Sequence, residues 1–166
     1  SYFEPVDNYI SSGKYYGKIY EDYRMPGYGA IYFILCKFFS VPVALNILVL
    51  LQLLLSAISV YVLASISFSL FRSDLSFYLT YFLYLISTYV SLYDPLLLSE
   101  SFCCSALIIG IYFLLNHKSS KWNLLLAGIF FAWCVFLRPI MFPLLGIACF
   151  VLMIDMRNTV KRSVFQ

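Results

Sequence analysis

Charged residues in this chain stand at the ends of long uncharged runs. Between Lys37 and Arg72 lie 34 uncharged residues, and between Asp74 and Asp94 another 19. At 1.5 Å per residue the longer run makes about 51 Å of helix, against a hydrocarbon core of roughly 30 Å. It therefore predicts one full membrane span with a reach into an interface. Pro42 suits a first helical turn, which places that span at Val43–Leu70. The Asp74–Asp94 run predicts a second span, and Pro95–Asn116, interrupted only by Glu100 near its start, a third. Trp122–Leu137 predicts a fourth and Ile140–Ile154 a short fifth. Gly27–Ser40 has 14 residues, too few to cross, and predicts a helix lying at an interface. No run alternates polar and apolar residues as a barrel strand does. The fold class expected is all-α: a polytopic membrane helix bundle with about five transmembrane helices and an interfacial helix after the first outer loop.

Composition sharpens this picture. Hydrophobic residues make up 63% of the 166 and charged residues 11%, with a mean hydropathy of +0.88. A soluble domain of this size has too little interior for that much apolar surface, so a soluble enzyme, a disordered chain and a coiled coil are all excluded. With 11 basic against 8 acidic residues there is no basic field, and no nucleic-acid partner is expected. The 15 Tyr and 16 Phe fit repeated crossing of bilayer interfaces. The chain opens at Ser1 without a Met and reads as an internal piece of a longer protein. Its five cysteines read as small hydrophobes in helix packing.

Five spans put the loops on alternate sides. One side carries Arg72, Lys118, Lys121, Arg157, Lys161 and Arg162 against Asp74 and Asp155. The other carries Lys14, Lys18, Arg24 and Arg138 against six acidic residues. The positive-inside rule makes the first side cytoplasmic. Residues 1–26 then form an extracytoplasmic loop, 27–155 the transmembrane region and 156–166 a cytoplasmic tail. The localisation expected is the plasma (inner) membrane, multi-pass, with the lipid bilayer itself as a partner.

There is no phosphate-binding glycine loop, no zinc spacing and no nucleophile elbow. His117 reads as a solvated loop residue. The unusual charges lie on the outer side: Arg24 before Met25-Pro26-Gly27-Tyr28, Glu100 at the start of a span, and Arg138 between two apolar runs directly before Pro139. Ionisable groups at membrane depth are costly and point to function. Each also has a plainer role at an interface. Arg138 would anchor by snorkelling, Glu100 would answer the helix dipole, and Asp94 would cap the helix after it.

Taken in order, Tyr2, Gly13-Lys14-Tyr15-Tyr16, Tyr20 and Arg24-Met25-Pro26-Gly27-Tyr28 resemble the first outer loop of the GT-C fold glycosyltransferases that use polyprenyl-phosphate sugars. The aminoarabinose (lipid A) and protein-mannosyl transferases are the particular likeness. Leu97-Leu98-Ser99-Glu100-Ser101-Phe102 resembles that family's second outer-loop acidic site, and Leu137-Arg138-Pro139 its L-R-P turn. The likeness runs from Tyr2 to about Asp155. It implies an integral membrane transferase that moves a sugar from a polyprenyl-phosphate donor to an extracytoplasmic lipid, glycan or protein. The family's first-loop catalytic Asp would precede Ser1, so it lies outside this sequence. Asp7 is off the motif position and is not given that role, and the piece is expected to be inactive by itself.

The chemistry follows the same lines. Arg24 and Arg138 would hold the donor phosphate, since guanidinium is planar and permanently charged. Glu100 would be the catalytic carboxylate, orienting the acceptor or binding a divalent cation such as Mg or Mn. Tyr2, Tyr20 and Tyr28 would offer aromatic faces and hydroxyls to sugars, or else belong to an interfacial belt. Two competing readings remain. A transporter or flippase of a lipid-linked or small anionic substrate would use the same arginines without chemistry, and a structural subunit would have no site.

Overall fold

The computed structural model describes residues 3–14, 27–87, 99–118, 120–150 and 153. All regular elements among them are helical. In chain order they are α1 (Glu4–Ser12), α2 (Gly27–Cys36), α3 (Val41–Phe71), α4 (Asp74–Ile86), α5 (Ser99–Leu115) and α6 (Lys121–Leu137). A final apolar helix, α7 (Pro139–Phe150), opens with a 3-10 turn over Pro139–Met141.

Local chemistry explains most of the boundaries. Prolines stand in the first turns of α1, α3 and the Pro139 turn, where a missing N–H costs nothing. Gly13 closes α1 with φ 70°, a left-handed conformation that glycine takes without strain. Arg72 closes α3 in the same region with φ 53°, where a side chain is disfavoured. Ser120 caps α6 by accepting the Trp122 N–H at 3.2 Å.

These bounds track the sequence reading closely for Val43–Leu70 and Trp122–Leu137. The interfacial segment is shorter than Gly27–Ser40, because the chain tightens after Cys36 into turns bonded to Ile34 and Leu35 carbonyls. The second and third expected spans are described only as Asp74–Ile86 and Ser99–Leu115; residues 88–98 between them lie outside the described residues. Within the 1–26 loop, Glu4–Ser12 is a helix, because Phe3 and Val6 bury against α2. Among the described residues one helix, Val41–Phe71, is long and apolar enough to cross a membrane; the other apolar helices have 10–17 residues.

The main core gathers α1, α2, the first half of α3, the start of α5 and the end of α6. Phe3, Tyr28, Tyr32, Leu48, Phe102, Cys103, Cys134 and Leu137 are all buried there. Small residues let the backbones approach, as do Ala44 and Ala106, both fully buried. Glycines do the same between elements. A Cβ on Gly27 would lie 2.5 Å from the Phe136 carbonyl oxygen, and one on Gly29 would lie 2.9 Å from Val6. A smaller cluster of Ala127, Phe131 and Ala148 joins α6 to α7. Helix α4 buries none of its residues fully and meets α3 through hydroxyls, with Thr80 donating to Ser67 at 2.9 Å.

Candidate functional site

Helices α5 and α6 form an antiparallel hairpin. At its closed end Asn123 donates to the Asn116 carbonyl at 2.8 Å. At its open end Glu100 lies in the first turn of α5 and Arg138 just past the end of α6. Pro139 dictates the backbone of Arg138, because the residue before a proline is pushed out of the helical region. Arg138 accordingly has φ −146° and ψ 112°, while its N–H still donates to the Cys134 carbonyl at 2.8 Å. The helix thus stops and the side chain reaches across to α5.

There Nη2 of Arg138 donates to Oε1 of Glu100 in an ion pair. The two side chains are 36% and 28% exposed, so the pair is neither in the core nor fully in solvent. Ser99 makes a long contact, 3.5 Å, with the other carboxylate oxygen. A guanidinium has five N–H donors. One serves Glu100, so the fork retains donors for an anion at the mouth of the hairpin.

The wall beneath is aromatic. Phe102 packs edge-on against Tyr28 at 5.6 Å, and Tyr28 stacks on Phe3 at 5.5 Å. Tyr28 is buried, and its hydroxyl donates to Oε1 of Gln52 at 3.1 Å, also buried. Its hydroxyl is thus directed at α3. On α1, Asp7 accepts from the Tyr32 hydroxyl at 3.1 Å. Burial, with help from hydrogen bonds to Cys36 and Asp7, pushes the Tyr32 phenol above its usual 10.0.

Of the residues singled out in the sequence, the structure therefore brings Glu100 and Arg138 into contact and buries Tyr28 against Phe102 in the first turn of α5. Tyr2, Tyr20 and Arg24 lie outside the described residues. No three His, Cys, Asp or Glu side chains converge on a cation site among the described residues. Glu100 is paired there with the Arg138 guanidinium. Sequence reasoning missed the Tyr28–Gln52 and Tyr32–Asp7 pairs. A signal existed for the first: an amide within an apolar run must find a partner when buried.

Family models, curated proteins and solved structures give no match to this chain.

Proposed function

We propose that this chain is a stretch of an integral membrane glycosyltransferase that takes a sugar from a polyprenyl-phosphate donor and passes it to an extracytoplasmic acceptor. The observation that carries the reading is the Glu100–Arg138 ion pair: two charges 38 residues apart meet, about one-third exposed, at the open end of a hairpin. That end is also where α1 and α2 pack, with Gly27 seated on the backbone of Phe136.

The membrane setting is supported by exposed apolar faces. Leu50, Leu54 and Ile58 on α3 and Leu79, Phe82, Leu83 and Ile86 on α4 are all exposed. Continuous apolar surface of this kind is what lipid or further helices cover. Helix α3, at 31 residues, is about 46 Å long, one span with an interfacial reach. Helices α5 and α6, at 17 residues each, are about 26 Å long and fit a bilayer through their polar and charged ends. The full reading is a bundle of about five spans with the site on the outer face.

In this mechanism Glu100 holds the Arg138 fork in register before the donor arrives. The free donors of the fork then receive the donor phosphate and offset the charge that grows on it as the sugar leaves. Glu100 is placed to orient the acceptor hydroxyl once the guanidinium turns to the phosphate.

A transfer assay on the full-length protein tests this. Charge-assisted hydrogen bonds are worth about 1.5–3 kcal/mol, so Arg138→Ala should lower kcat/KM for the lipid donor by about 10- to 100-fold. Lys118→Ala, at the closed end of the hairpin, should leave it within about twofold. Equal, small effects would overturn the assignment. One observation favours the transporter alternative, namely the buried polar file Gln52, Ser56 and Ser59 inside α3. It predicts substrate flux across vesicles without transfer chemistry, and that flux would depend on Gln52.

A further inference from the structure

Two buried thiols lie on the seam between α5 and α6, and the mechanism above does not use them. Cys103 and Cys134 are each 1% exposed. The Cys134 thiol points at the Cys103 carbonyl at 3.5 Å, and the Cys103 thiol at the Cys134 carbonyl at 3.8 Å. Such a reciprocal arrangement requires two backbones in close approach, and two turns further along α5 a Cβ added at Gly110 would lie 3.3 Å from the Phe130 side chain and 3.4 Å from that of Phe131. Cys104, the next residue along, is exposed.

The pair sits one turn below the ion pair. Cys103 follows Glu100 by three residues and so shares its helix face. The carbonyl that receives the Cys103 thiol is the same one that receives the Arg138 N–H.

We propose that Cys103 and Cys134 are a redox-active pair that closes to a disulfide and locks α5 to α6 directly beneath Glu100 and Arg138. In the closing step each thiol gives up its hydrogen and one S–S bond forms. Two electrons and two protons pass to the oxidant. Burial selects the oxidant: a charged, bulky disulfide does not reach this seam, whereas a small apolar two-electron acceptor of the quinone class does, leaving as the hydroquinone. Closure takes the Cys103 thiol off the Cys134 carbonyl and fixes the register of the hairpin mouth. This inference stands on the helix seam alone and is independent of the transferase reading.

The test uses the full-length protein in native membranes, treated with a small diazenedicarboxamide oxidant or with a short-chain quinone. After unfolding and alkylation of remaining thiols, peptide mapping should find the Cys103 and Cys134 peptides joined, lighter by two hydrogens. Dithiothreitol should restore both thiols. The link should persist in Cys104→Ala and vanish in Cys134→Ser. Both thiols remaining open to alkylation after oxidation would overturn the proposal. So would a link that runs through Cys104 or Cys149. The wild-type mapping decides the matter even if the Cys134→Ser chain folds poorly.

Discussion

Gln52 is a primary amide with no exposed surface, in the first half of a mainly apolar helix. Stripped of hydration, such a group costs free energy unless it is bonded, and Tyr28 supplies that bond. Tyr28→Phe and Gln52→Leu should each destabilise the protein by about 0.5–1.5 kcal/mol, because each removes the buried hydrogen bond between them. The double variant should lose less than the sum, with a coupling of about 1 kcal/mol, read from denaturant unfolding in detergent. At this scale Glu100 and Arg138 were legible in the sequence, since an isolated charge beside an apolar run is conspicuous. Their contact was also within reach, because both fall on the outer side when spans alternate. The role of Tyr28 was not legible. It shares a loop rich in tyrosine, and nothing in the spacing separates a ring that stacks on sugar from one that is buried. Only the packing of α2 against α3 makes that distinction.

Elements are set by proline and glycine more than by propensity. Gly27 lets the start of α2 rest on the last turn of α6, whereas Gly128 faces open space. Gly27→Ala should therefore cost about 1–3 kcal/mol, as overpacking does. Gly128→Ala should be neutral or gain up to about 1 kcal/mol from better helix propensity. Thermal unfolding of the two variants side by side checks the contrast. Helix α3 was placed to within two residues, because Pro42 at one end and the charged Arg72 at the other bracket it. Helix α1 was read as loop, because its buried stripe is narrow: Phe3, Pro5 and Val6 suffice to dock nine residues that otherwise face outward. Such a helix carries little hydrophobic signal of its own and forms because α2 is there to receive it.

Across the whole molecule, helical class follows from the uncharged runs, but which faces pair does not, since these helices are apolar nearly all round. The pairing comes instead from small residues and from a few polar contacts, such as Ser67 with Thr80 and Cys103 with Cys134. The surface left over is apolar, and α4 is the clearest case, with no fully buried residue. In the membrane reading, the full-length protein should stay in the pellet when membranes are washed with alkaline carbonate and leave it only with detergent. Release by carbonate alone would count against that reading.

The Glu100–Arg138 pair also has a consequence for biosynthesis. The carboxylate leaves the ribosome 38 residues ahead of its partner, which at about 5–20 residues per second is a delay of roughly 2–8 s. Through that interval Glu100 is a lone acid at the head of an apolar helix, and it must stay hydrated or take up a proton. The hairpin is therefore finished from its closed turn outward. Arrival of Arg138, held out of the helix by Pro139, gives Glu100 its ion-pair partner and ties the two ends of the hairpin together.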